Sequence, residues 1–187
     1  EGTASRSGDQ ISDAQQLLGT SISTSVFVES GLMAFTALTS KLDGALALAA
    51  DMLINPTLPV EALDRLRAQR LVNPTTARDN PGSIANNVFP KVAYGDQHPF
   101  GRVVTEQSVR SITRDDIVAF HRAYFLPGRA IVTIVGDVDP VRTRASFEKA
   151  FAAWKPGGDR PTFSYPAVAQ QANTTIWLID KPKAAQS

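Results

Sequence analysis

The order in which helix-period and strand-period segments follow one another constrains this chain most. From the first residue onward the pattern reads one helix, two strands, four helices, one strand, one helix, a linker and a last strand. A doubly wound parallel fold needs strands and helices to alternate, and here they do not. Grouped helices beside a hairpin point to an α+β fold, an antiparallel sheet covered by helices.

The local signals behind that order are specific. Ile11, Ala14 and Leu18 recur at helical spacing after Asp9, a capping residue type, and Gly19 offers a stop. Residues 21–29 and 32–39 read as two arms of a hairpin turning at Glu29, Ser30 and Gly31. Ser40 and Asp43 have capping-box spacing before the apolar stripe Leu42, Ala45, Leu46, Ala49 and Leu53, which Asn55-Pro56 ends. Pro59 opens a helix bearing Leu63, Leu66 and Leu71. Asn73-Pro74 is expected to interrupt it, because proline lacks a donor and pushes its predecessor out of the α region.

Asn80-Pro81 starts another helix with Ile84, Ala85, Val88, Phe89 and Val92, kinked at Pro90, and residues 94–102 form a loop around Gly95, Pro99 and Gly101. Thr113 and Asp116 form a second capping box, and Ile117, Phe120 and Tyr124 share one face of its helix. Residues 130–135 read as a buried strand. Asp139 with Pro140 starts a helix that turns Phe147, Ala150, Phe151 and Trp154 inward, and residues 174–180 read as a final strand.

Composition removes several function classes. The 19 Lys and Arg are interleaved with 18 Asp and Glu, for a net charge of +1, so no basic stripe exists to neutralise nucleic-acid phosphates. The absence of cysteine excludes disulfides, thiolate metal sites and cysteine nucleophiles. No apolar run approaches the roughly 20 residues that cross a bilayer, so no transmembrane segment is expected in this chain. Glu1 stands where an initiator Met is absent, which leaves any upstream region out of view.

No nucleophile elbow, P-loop, dinucleotide loop, H-E-x-x-H or H-x-x-E-H occurs. His121 beside Phe120 reads as a structural histidine rather than a ligand, and His98 before Pro99 as a residue that fixes its loop rather than a catalyst. Gly136-Asp137-Val138-Asp139 fits a turn with a helix cap better than a cation site. Asp115 and Asp116 suit a helix N-terminus, where the macrodipole favours negative charge, better than an acid/base pair. No catalytic residue is assigned, and substrate-binding residues are not identified.

Several motifs nevertheless appear together in one order. They are Gly2-Thr3 with Arg6-Ser7, the hairpin, Lys41-Leu42-Asp43, Asn55-Pro56, the segment Y-G-D-Q-H-P-F-G-R from Tyr94, Ser111-Ile112-Thr113 and Gly136-Asp137-Val138. In that order the chain resembles the insulinase/pitrilysin-type (inverzincin) zinc metallopeptidases, which include mitochondrial processing peptidases and bacterial two-subunit proteases. The resemblance implies half of a tandem αβ repeat. Residues 1–156 would be most of the first αβ domain without its N-terminal part, 157–171 a linker and 172–187 the start of the second domain.

The resemblance also locates the zinc ligands. H-x-x-E-H would lie just before Glu1, and the third ligand, a glutamate, would fall at Asn73, with a supporting glutamate at Leu66. Neither residue is a carboxylate. Asn is a neutral substitute for an anionic ligand and Leu can orient nothing, so both positions read as degenerate and no metal ligand is assigned in this segment. An Arg/Tyr pair that binds substrate in the family would lie beyond Ser187.

The resemblance therefore implies a non-catalytic, substrate-enclosing subunit of a heterodimeric peptidase. Its expected partners are a peptide or unfolded protein and a homologous zinc-bearing subunit, with zinc held by the partner. One alternative is a catalytic zinc metalloendopeptidase whose H-x-x-E-H lies upstream. Another is a structural core-type subunit without proteolysis. A bacterial periplasm or cell envelope is the expected compartment, with the cytoplasm as the alternative.

Overall fold

The computed structural model describes residues 2–77, 80–156, 162–168 and 173–179, with side chains described at all of these but 73–77. Two compact units result, residues 1–63 with 113–160 and residues 64–112 with 161–187.

In the first unit, helix α1 (Gly8–Leu18) starts at Ser7 and not at Asp9 as the sequence suggests. The Ser7 hydroxyl accepts from the Gln10 N–H at 3.2 Å, and the Gln10 side chain accepts from the Ser7 N–H at 2.8 Å. This reciprocal box satisfies two donors at once, leaving Asp9 in the first turn, where it complements the macrodipole. Gly19 ends the helix at φ 63°, a left-handed conformation that glycine adopts without steric cost.

Strands β1 (Ser23–Val26) and β2 (Gly31–Ala34) pair antiparallel with Ser23 opposite Ala34 and Val26 opposite Gly31. The turn closes through the Phe27 N–H donating to the Ser30 carbonyl at 2.7 Å. Alternation then sets which side chains turn in. Met33 and Phe35 pack against the core cluster, while Leu32 and Ala34 face solvent.

Helix α2 (Leu42–Ile54) carries the core. Ala45, Leu46, Leu48, Ala49 and Ala50 are buried, and the cluster of Ile11, Ile22, Leu48 and Ala49 is flanked by Leu18, Met33, Met52 and Phe151. The expected box of Ser40 and Asp43 is absent. A 3-10 turn over Thr39–Lys41 leads into the helix, and no side chain caps it. Gly44 faces α1, and a Cβ there would meet Leu18 Cδ2 at 2.7 Å, so a side chain at this position would require Leu18 to shift.

Helix α6 (Arg114–Tyr124) begins at the Thr113–Asp116 box, and α7 (Pro140–Ala150) at Asp139, whose carboxylate accepts from the Arg142 N–H at 2.7 Å. Helix α7 packs on α2. The buried strand expected at residues 130–135 does not form, and Ile131 and Val135 are 94% and 90% exposed. A β-branched run becomes a strand only when a neighbour supplies N–H and C=O groups. Here β1 and β2 use each other, and among the described residues no further strand lies alongside.

The second unit holds α3 (Val60–Ala77) from Asp64 onward, α4 (Pro81–Tyr94) and α5 (Glu106–Ser111), a short helix the sequence reading does not anticipate. Helix α3 (Val60–Ala77) runs unbroken past Asn73-Pro74, against expectation. One missing N–H removes one bond from an 18-residue helix, and the bonds on either side carry it through. Arg67 Nη2 donates to the Ile112 carbonyl at 2.7 Å, joining α3 to the end of α5.

Helix α4 starts at Asn80, whose side chain accepts from the Ser83 N–H at 3.0 Å, and contains Pro90. Residues 174–179 form no strand, and Ile176 and Leu178 are exposed, for the same want of a pairing neighbour. Residues 157–161, 169–172 and 180–187, where most of the expected linker and second-domain start would fall, lie outside the described residues.

Candidate functional site

The two positions that would ligate and support zinc both fall on α3. Leu66 is 53% exposed and aliphatic, so it has no lone pair to give a metal or a metal-bound histidine. Asn73 belongs to the same helix, and its side chain lies outside the described residues. Among the described residues no group of three His, Cys, Asp or Glu comes together as metal ligands. Leu66 does not fit a place beside a zinc ion, and no catalytic step is derived from it.

Both histidines have structural tasks. His98 is 6% exposed, and its Nδ1 accepts from the Phe100 N–H at 3.2 Å, opening the 3-10 turn Pro99–Gly101. Its ring stacks on Tyr94 at 4.9 Å and on Tyr165 at 5.3 Å, with Phe100 edge-on at 5.1 Å. The loop is tight, for a Cβ on Gly101 would run into the Gly95 carbonyl. His98→Ala removes one acceptor and three ring contacts, and is expected to cost the second unit about 1–2 kcal/mol. Thermal unfolding followed by tyrosine near-UV circular dichroism reads this effect.

His121 lies on α6, and its Nε2 donates to the Leu53 carbonyl at 2.8 Å while its ring stacks on Phe125 at 5.1 Å. Leu53 is in the last turn of α2, where carbonyls lack intrahelical donors, so His121 closes that helix end from a neighbouring element. Asp139 acts as a helix cap, and the Gly136–Asp137 turn is tied back by the Thr39 hydroxyl, which donates to the Asp137 carbonyl at 3.2 Å. Asp116 is committed to Thr113, whose side-chain and backbone hydrogen bonds hold its carboxyl below the ordinary value.

Two features had no signal in the sequence. Asp51 accepts from Thr3 at 2.7 Å, Ser5 at 2.7 Å, Arg6 at 2.6 Å and Asn55 at 3.1 Å. Burial pushes its pKa up, but the bonds from Ser5, Thr3, Asn55 and Arg6 outweigh that and hold it below the ordinary carboxylate value. This clamp fastens the Gly2–Ser7 segment onto α2, helped by the Ala4 N–H donating to the Asn55 carbonyl at 2.9 Å and the Thr57 N–H to the Gly2 carbonyl at 3.1 Å.

The second feature is a groove of about 570 Å³ at the C-terminal end of α2, lined by Ile54, Pro56 and Leu58, by α6 and its following turn, and by Trp154 and Lys155. Leu58 on its edge has φ 47°, the left-handed region that a leucine rarely enters. Arg114 holds that turn, with Nε donating to the Leu58 carbonyl at 2.8 Å and Nη2 to the Thr57 carbonyl at 3.0 Å.

Residues 111–186 match the family described as Peptidase M16 inactive domain. An uncharacterized zinc protease of Mycobacterium leprae is 29% identical over 139 residues, covering 73% of this chain and 31% of that protein. One of Mycobacterium tuberculosis is 28% identical over 161 residues, covering 85% of this chain and 36% of that protein. The chain thus spans about a third of the length of these curated relatives.

Among solved structures, a peptidase M16 inactive domain from Pseudomonas fluorescens superposes with a TM-score of 0.79 at 25% identity, covering 90% of this chain and 41% of that one. The periplasmic protease PqqL of Escherichia coli shares the fold, with a TM-score of 0.72 at 14% identity over 90% of this chain and 20% of that one. The class is a peptidase-type α+β segment. In sequence over residues 111–186 and in fold over most of its length, the chain is similar to the M16, or insulinase/pitrilysin-type, peptidases and their inactive-type domain.

Among the described residues, no helix is long and apolar enough to cross a membrane.

Proposed function

We propose that the parent protein is the non-catalytic, substrate-enclosing subunit of a heterodimeric M16 peptidase, with zinc held by a homologous partner. The single observation that supports this reading is the pair Leu66 and Asn73 on α3, at the positions where the family resemblance calls for a supporting and a ligating carboxylate. A catalytic zinc site needs about three protein ligands and one open position for water, and a helix that offers neither carboxylate leaves that set one short. Residues 1–156 would then form most of the first αβ domain, with 157–171 leading into the second. A peptide or unfolded protein would be the enclosed substrate.

The test is zinc stoichiometry by mass spectrometry on the full-length parent protein, purified without its partner. Well below a tenth of an ion per chain is expected, against about one for a catalytic M16 subunit. A value near one sinks the reading. It would favour instead a catalytic zinc protease with H-x-x-E-H upstream, the reading supported by the mycobacterial relatives' description as zinc proteases.

A further inference from the structure

We infer that the groove at the C-terminal end of α2 binds the free C-terminus of a peptide whose last residue is apolar. The inference goes beyond the assignment of a non-catalytic subunit and holds whether or not the parent protein carries zinc. At about 570 Å³ the groove falls in the size range of small-ligand sites, roughly 300–1,000 Å³. Its lining is mixed, with Ile54, Leu58, Phe125 and Trp154 supplying the apolar part. The Trp154 indole donates to the Phe125 carbonyl at 2.9 Å, which fixes the aromatic wall before any ligand arrives.

Charge selects the occupant. Arg114, Arg122 and Lys155 line the groove, and no Asp or Glu does, so an anion is favoured and a cation is opposed. Arg114 is engaged with the Thr57 and Leu58 carbonyls, leaving Arg122 and Lys155 as the groups available to a ligand, although Lys155 Nζ also donates to the Ala152 carbonyl at 3.1 Å.

Leu58 adds an independent sign. A leucine at φ 47° costs free energy and persists only where its surroundings over-determine it, and such residues cluster at ligand clamps. Here the guanidinium of Arg114 holds the strained turn in place at the groove's edge.

The arrangement fits a C-terminus better than an acidic side chain. Arg122 and Phe125 are one helical turn apart, so cation and aromatic wall lie within the span of one residue. A C-terminal residue carries its carboxylate and its side chain on the same Cα and can meet both. An internal Asp or Glu uses its side chain for the charge and leaves the apolar wall to a neighbour.

The experiment is calorimetric titration of the full-length protein, in the presence of a chelator to silence zinc-dependent hydrolysis, with acetyl-Ala-Ala-Phe-Leu as the free acid and as the C-terminal amide. The acid is expected to bind at least ten-fold more tightly, with a preference that shrinks as salt rises. The exposed-site double variant Arg122→Gln/Lys155→Gln, checked for unchanged circular dichroism, is expected to abolish the preference. Equal binding of acid and amide, no binding of either, or a preference that survives in the double variant would overturn the inference. So would an amidated peptide with an internal Glu binding as tightly as the free acid. Zinc content plays no part in this readout, so its failure and the failure of the zinc-free reading are separate results.

Discussion

Leu48→Ala is expected to lower the unfolding free energy of the first unit by about 3 kcal/mol, within the range for truncating a well-buried leucine. Leu48 is 3% exposed and sits with Ile11, Ile22 and Ala49 where α1, β2 and α2 meet, with Phe151 packed from the end of α7. Truncation removes apolar area from burial and leaves a cavity, and the cavity collapses poorly because its neighbours come from separate elements. The effect is read as a lower urea midpoint at unchanged slope, followed through Trp154 in a chain carrying Trp177→Phe. Leu17, 81% exposed on the same α1, serves as control, and Leu17→Ala is expected to change stability by less than about 0.5 kcal/mol. Equal costs at the two positions would mean that the cluster is not the core.

Asp51→Ala is expected to cost about 2–3 kcal/mol at neutral pH, in line with losing several hydrogen bonds to a charged acceptor, some of them partly exposed. Four donors converge on this carboxylate, whose side chain is 13% exposed. The sign with pH follows from the lowered pKa. A carboxyl whose folded pKa lies below its unfolded value of about 3.9 contributes stability that is fully present above that value and is lost as pH falls through the folded pKa. The gap between the native chain and Asp51→Ala should therefore be widest above about pH 5 and narrow on acidification. Denaturation midpoints measured across that range test it, and a gap that widens toward low pH would refute the clamp. Amide exchange at Ala4 should rise in the variant, since the segment it anchors loses its main tether.

Much of the local structure is legible in the residues themselves. Gly19, Asn55-Pro56, the Thr113 box and Asp139-Pro140 each place a helix end within a residue or two, because caps and turns depend on φ/ψ preferences and hydrogen bonds reaching three or four residues. The misses have the opposite origin. Asp9 and Ser7 both look like caps, and only the reach of Gln10 decides between them. Pro74 looks like a stop, yet α3 continues, since one lost bond does not outweigh the rest of the helix. Residues 130–135 have strand composition, but composition cannot supply a partner strand.

The candidate site divides in the same way. The identities of Leu66 and Asn73 are sequence facts, and that neither can act as an anionic ligand follows from their chemistry alone. The absence of cysteine and of a basic stripe is equally a matter of composition. The Asp51 clamp on residues 3–6, the His121 bond to Leu53 and the Arg114 hold on Leu58 were not legible, because each joins residues 45 to 68 positions apart. Loop closure over such spans costs entropy that only the packed core offsets, so no local pattern announces these contacts. Sequence by itself determined several helix ends, the hairpin turn and the residue chemistry at positions 66 and 73. Only the tertiary structure decided which polar groups meet across the core, where a leucine is held at positive φ, and that three cations and an aromatic wall share one groove.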